Sequence, residues 1–210
     1  MNWSNITEYI EQHSDKETDL LAAINRETNV LTLNPHMISG HIQGRVLSMI
    51  SKMVRPVRIL ELGTFTGYSA ICLSEGLAPD GVIDTIEIND ELEDMIAENT
   101  KADKRIRVHI GDCLQIIQNG TLSSEYDLVF IDADKRHYIE YYNSIFDLVP
   151  SGGWILADNT LWDGHVIDTA YDRDKQTLGL RDFNDYIAQD KRVEKVILPL
   201  RDGLTIIRKK

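Results

Sequence analysis

An α/β fold built on a mostly parallel sheet is what this chain's pattern predicts, and three observations carry the prediction. Short apolar runs alternate with amphipathic helical stretches through the middle of the chain. A glycine-containing loop follows the first run, and an acid ends the second. The last two runs are separated only by residues 199–203, too few for a crossover, so they form an antiparallel hairpin at the end of the sheet.

The strands are predicted over 58–62, 82–88, 106–110, 126–131 and 154–157, and the closing pair over 193–198 and 204–207. Residues 69–77 read as the helix after the first strand. Asn89 or Asp90 caps the next, where Leu92, Met95 and Ile96 share one face. Tyr138, Tyr141, Tyr142, Ile145 and Leu148 form an apolar stripe at helical spacing, and a last stripe holds Leu180, Phe183, Tyr186 and Ile187. Strand alternating with helix implies right-handed crossovers. The expected organisation is one domain, 1–210, in which 1–55 is an N-terminal helical appendage.

With 210 residues, 42% apolar and 27% charged, the chain suits one soluble domain with a full core. Its net charge of -12 repels phosphate backbones, and Arg208, Lys209 and Lys210 make only a short basic end. Cys72 and Cys113 are too few for a disulfide framework and lack metal-type spacing; Cys72 is expected in the core. The first residues lack the basic start and apolar run of a leader, and no window is long enough to span a bilayer. A reduced, cytoplasmic setting is expected.

The first strand ends in ELGTFTGYS (61–69). Gly63 and Gly67 permit a sharp turn and close approach of a ligand. Glu87 follows at roughly the 20-residue distance expected of an acid that binds ribose hydroxyls. Phe65 stands where a dinucleotide loop needs its second glycine, which argues against NAD and for a nucleoside without a pyrophosphate.

The fourth strand runs directly into Asp132, Ala133, Asp134 and Lys135, and the fifth into Asp158 and Asn159. Charges at the end of buried strands are costly unless something binds there. Singly, Asp158 and Asn159 suit a loop cap and Asp132 an ion pair with Lys135. Together on adjacent strand ends, about 5 Å apart, two carboxylates and an amide oxygen make a hard site suited to Mg²⁺, Mn²⁺ or Ca²⁺.

Those stretches, with IEI (86–88), FIDADK (130–135) and ADNTLW (157–162), resemble in sequence and order the metal-dependent class I O-methyltransferases of the caffeoyl-CoA and catechol type. The resemblance covers roughly residues 35–210. It implies a Rossmann-like class I methyltransferase fold of seven strands with helices on both faces. It also implies S-adenosylmethionine (SAM) and a divalent cation, Mg²⁺ first, as cofactors. By position, Glu61, Gly63 and Ser69 would hold the amino-acid part of SAM, Glu87 the ribose, and Gly111, Asp112 and Cys113 the edge of the adenine. Asp134 would face the cofactor amine, and Met37 and Ser39 match contacts ahead of the first strand. Asp132, near the cofactor, matches a cation ligand together with Asp158 and Asn159.

On this resemblance Lys135 is the catalytic residue, taking the acceptor's proton or steadying its oxyanion, and Trp162 and Asp163 join it at the substrate. The acceptor is a vicinal diphenol, with a hydroxylated uridine of tRNA as the alternative, and a homodimer is expected. Plant enzymes of this type have asparagine where this chain has Asp163, so the kind of acceptor stays open. The 161–174 loop, with Trp162, His165 and Tyr171, is expected to shape the pocket. His137 is expected to start a helix.

Overall fold

The computed structural model describes residues 3–210, so the first two residues of the N-terminal helical segment lie outside the described residues. Seven strands form one sheet: β1 (Arg58–Leu62), β2 (Val82–Glu87), β3 (Ile106–Ile110), β4 (Leu128–Ile131), β5 (Trp154–Ala157), β6 (Val193–Leu198) and β7 (Leu204–Lys209). Their order is β3-β2-β1-β4-β5-β7-β6. The first five are parallel, and β7 lies antiparallel between β5 and β6, as the short 199–203 turn requires. Every predicted strand is present, with ends shifted by up to two residues. Tyr126 and Asp127 precede β4, and Asp127 Oδ2 accepts the amides of Val57 (2.7 Å) and Arg58 (2.9 Å).

The helices are α1 (Trp3–Gln12), α2 (Asp19–Leu31), α3 (His41–Val54), α4 (Tyr68–Ser74), α5 (Glu93–Thr100), α6 (Cys113–Gln118), α7 (Tyr138–Phe146) and α8 (Lys175–Gln189). Helix α6 is absent from the sequence reading. It is six residues long, too short to show a period, and its one signal is Asp112, whose side chain accepts the Gln115 amide at 3.0 Å. Among the described residues no helix is long and apolar enough to cross a membrane.

Strand side chains alternate between two cores. Leu60, Leu62, Val129, Ile131, Ile155 and Ala157 face α7 and α8, where Phe183 meets Tyr138 edge-on at 5.4 Å. Such an aromatic pair adds about 0.5–1.5 kcal/mol beyond its buried area. Ile59, Leu128, Phe130 and Leu156 face the other way, against α2, α3 and α4. Leu21, Ile24, Leu47 and Ile50 of the N-terminal segment belong to that second core, so α2 and α3 cover one face of the sheet.

The join between α3 and the residues that close α4 is polar. Glu75 accepts from Arg45 (2.6 Å), Lys52 (2.8 Å) and Ser48 (2.7 Å). Burial alone would raise the Glu75 carboxyl, but these three donors hold it down, to about 2. The unfolded chain therefore takes up the proton first as the solution is acidified, and the stabilisation is lost as pH falls from about 4.5 toward 2. Glu75→Gln is expected to cost about 1 kcal/mol near pH 7, allowing for solvent screening, and nothing near pH 2. Urea denaturation at several pH values checks this, and a difference independent of pH would contradict it.

Candidate active site

The register of β4 and β5 sets the site. Ile131 pairs with Ala157, and Asp158 N–H donates to Ile131 O at 3.0 Å, so Asp132 and Asp158 are the next residues out on neighbouring strands. Alternation puts both on the side covered by α3. A cavity of about 690 Å³ opens there, beyond the carboxyl ends of β1, β2, β4 and β5. It brings together Met37, Ser39, Gly63, Ser69, Glu87, Asp112, Cys113, Asp132, Asp134, Lys135, Asp158, Asn159, Trp162 and Asp163. Of the expected site residues, Glu61 and Gly111 are not on its wall.

Gly63 makes the wall possible. Its φ of 96° is left-handed, and a Cβ there would lie 2.1 Å from the carbonyl oxygen of Asp132. Phe65 is left-handed too (φ 51°), which turns its amide onto Glu87 Oε2 at 2.7 Å; Glu87 Oε1 accepts from Asn89 N–H at 2.9 Å. Each carboxylate oxygen of Glu87 keeps a lone pair for a further donor.

Glu61 lies under the loop. It is fully buried, accepts from Thr85 Oγ1 at 2.5 Å, and leaves Oε1 without a partner. Burial pushes its carboxyl up to about 8, against the nearby hydroxyls of Ser69 and Thr85. Cys113 is likewise pushed up to about 12 by burial, so its thiol is an apolar wall and not a nucleophile.

Asp132 Oδ1 accepts from Lys135 Nζ at 2.7 Å, and that ammonium lies 5.4 Å from the centre of the Tyr138 ring. Asp158 is buried. Its Oδ2 accepts from Gln43 Nε2 at 2.6 Å, and its Oδ1 is buried with no partner. Burial first, then the negative charge of Asp132, pushes the Asp158 carboxyl above the usual range. Asn159 turns left-handed (φ 57°), as do Trp162 (φ 47°), Asp163 (φ 54°) and Gly164 (φ 83°). Such residues cost about 1–3 kcal/mol each when not glycine, and they concentrate where a side chain must be aimed.

Asp134, expected from the resemblance to face the cofactor amine, lines the cavity. Its carboxylate is taken by Arg136, whose Nε donates to Oδ1 at 2.9 Å, and this pairing lowers its pKa. The 161–174 loop does shape the cavity, through Trp162, Asp163 and His165, whereas Tyr171 stacks on the His165 ring at 3.5 Å. Arg181 of α8 holds that loop by the carbonyls of His165, Val166 and Asp168. His137 stands at the start of α7. Gln43, Arg201 and Asp202 were not legible as site residues, since each lies far in sequence from the strand ends it serves.

The donors fit the implied groups. Two carboxylates and an amide oxygen, with one carboxylate oxygen bare and buried, suit a hard divalent cation. Among the described residues no cluster of three His, Cys, Asp or Glu side chains is poised for a metal, so the amide of Asn159 is essential to such a set. Glu87, on the cavity wall with a lone pair free on each oxygen, similarly suits the hydroxyls of a ribose.

Glu61 yields a test of its own. Its folded carboxyl titrates near 8 and the free side chain near 4.5, so the folded form holds its proton longer. Stability is full below about 4.5 and falls as pH rises toward 8. Glu61→Gln has no proton to lose, so the ligand-free variant is expected to gain on the wild type between pH 5 and 8. Denaturant midpoints at both pH values measure this; a constant difference would contradict it.

The sequence model of a family described as O-methyltransferase matches residues 11–210. Caffeoyl-CoA O-methyltransferase 2 of Populus trichocarpa is 34% identical over 185 residues, 82% of this chain and 75% of the relative. Caffeoyl-CoA O-methyltransferase 1 of Nicotiana tabacum is 35% identical over 185 residues, 82% and 77% of the two chains. Among solved structures, an SAH-bound methyltransferase of Podospora anserina has a TM-score of 0.89 at 27% identity, covering 99% of this chain and 94% of the other. The O-methyltransferase of Bacillus cereus in complex with SAH also gives 0.89 at 27% identity, covering 98% and 97%. The glycine loop, the strand-end acids and these matches agree: the chain belongs to the class I, SAM-dependent O-methyltransferases of the caffeoyl-CoA type.

Proposed function

We propose that the acceptor is a small vicinal diphenol and that a divalent cation held by Asp132, Asp158 and Asn159 takes part in the transfer. The observation that carries this reading is the bare Oδ1 of Asp158. A buried polar atom without a partner costs about 1–3 kcal/mol, and more when charged, so a countercharge belongs there. When bound, the cation would act as a Lewis acid that lowers the pKa of an acceptor hydroxyl. SAM would supply a methyl already activated on a sulfonium, so the remaining work is placement.

That work falls to the chain. Glu61, through Ser69, and the loop at Gly63 hold the amino-acid end of the cofactor; Glu87 holds the ribose, and Met37 and Ser39 close over it. Lys135 stands beside the acceptor oxygen. Once Asp132 serves a cation, the ammonium is free to steady the forming oxyanion or to relay its proton. Trp162 and the left-handed turn at Asp163 bound the ring of the acceptor. The lining carries the acids Glu87, Asp112, Asp132, Asp134, Asp158, Asp163 and Asp202 against Lys135 and Arg201. That balance favours a small neutral or cationic acceptor over a phosphate backbone.

Transfer of labelled methyl from SAM to a panel of diphenols tests the reading. Turnover is expected with Mg²⁺ and is expected to be lost with excess chelator. Asp158→Ala should lower kcat/KM by more than about 100-fold. Full turnover in chelator, or in Asp158→Ala, would remove the cation. Lys135→Met should lower kcat by about 100-fold with little change in the KM for SAM. An equal loss in KM for SAM would move Lys135 from the acceptor to the cofactor.

A further inference from the structure

The turn between β6 and β7 reaches across the carboxyl edge of the sheet in two directions. Arg201 Nη1 donates to the carbonyl oxygens of Ile38 (2.8 Å) and Ser39, and Nη2 to that of His36 (3.4 Å). These carbonyls belong to the strap between α2 and α3 that carries Met37 and Ser39 to the cavity. The same Nη1 donates to Gln43 Oε1 at 3.3 Å. An amide whose oxygen is held by a guanidinium must turn its NH₂ the other way, and Gln43 Nε2 indeed donates to Asp158 Oδ2. Only Oδ1 of Asp158 is then left bare.

Asp202 works by the same logic on the neighbouring ligand. A carboxylate accepts and does not donate, so Asn159, 3.5 Å away through Nδ2, keeps its side-chain oxygen free. The Asp202 carbonyl also accepts the amides of Leu161 (2.7 Å) and Trp162 (3.0 Å), which fixes the start of the substrate loop. Gly203 allows this contact, since a Cβ there would lie 2.5 Å from Leu161. Arg201 itself is left-handed (φ 48°), a conformation that costs about 1 kcal/mol more than it would for glycine. A side chain placed at such a position earns its place through what it holds.

We infer that the Arg201–Asp202 turn is a positioning device that selects which oxygens of Asp158 and Asn159 face a cation and ties that choice to the cofactor strap. The cation half rests on the reading of Asp132, Asp158 and Asn159 given above; the strap half does not. Neither Arg201 nor Gln43 touches a reacting atom.

The test is calorimetric titration of ligand-free protein with Mn²⁺ and, separately, with SAH. Wild type, Asp158→Ala, Arg201→Met, Arg201→Lys and Gln43→Leu are compared, with melting temperature and circular dichroism reporting the fold. Wild type is expected to bind Mn²⁺ and Asp158→Ala to lose it. Arg201→Met should weaken Mn²⁺ about tenfold or more and SAH by about tenfold. Gln43→Leu should weaken Mn²⁺ alone. Arg201→Lys should recover SAH binding more than Mn²⁺ binding, because the shorter side chain keeps the nearer strap carbonyls before the 3.3 Å contact to Gln43. A folded Arg201→Met that binds both ligands like wild type would overturn the inference, as would Gln43→Leu weakening SAH as much as Mn²⁺. Failure of wild type to bind Mn²⁺ would remove the cation reading itself, and the strap half would then fall if Arg201→Met left SAH affinity unchanged.

Discussion

A carboxylate oxygen buried without a partner, Oδ1 of Asp158, is the constraint around which the site is organised. Its burial follows from the register of β4 and β5, which sets Asp132 and Asp158 side by side under α3. One oxygen is satisfied by Gln43 and the other is buried without a partner. Lys135 neutralises Asp132 but stands three residues along its own chain, and it does not reach the bare oxygen. Water would solvate these charges well at a surface. Here they line a cavity walled by Met37, Trp162 and the loop at Gly63, where burial makes an uncompensated charge costly.

The second organising feature is the side-chain alternation that serves the two cores. Residues one apart on β1 serve opposite faces, so Glu61 goes to the α4 side with Ile59 while Leu60 and Leu62 go to the α7 side. A buried glutamate in a strand is a poor choice for stability. It lies under the glycine loop, where Thr85 already orients one of its oxygens. The same trade recurs in the left-handed residues Phe65, Asn159, Trp162 and Asp163, which spend local strain on aiming backbone amides and side chains into one space.

Much of this was legible in the sequence because it depends on neighbours in the chain. Strand and helix periods, the glycine loop, and acids at the last residue of a strand are all local patterns. The fold, the hairpin and the convergence of Asp132, Asp158 and Asn159 followed from them. What was illegible depends on contacts between distant segments. Gln43 lies on α3 and meets Asp158 only because α3 covers that face; nothing around Gln43 marks it. Arg201 reads as an ordinary turn residue until the strap is seen beneath it. The pairing of Asp134 with Arg136, two residues on, was likewise not read from the sequence. Helix α6 was missed because six residues carry too little period to see.

We propose that the bare oxygen of Asp158 faces a cation. Crystals grown with SAH and soaked in Mn²⁺ test it most directly, by anomalous scattering at the manganese edge. One strong peak bounded by Asp132, Asp158 and Asn159 is expected, with Gln43 still on the far oxygen of Asp158. A cavity with no peak at saturating Mn²⁺, or a peak held by other residues, would contradict it.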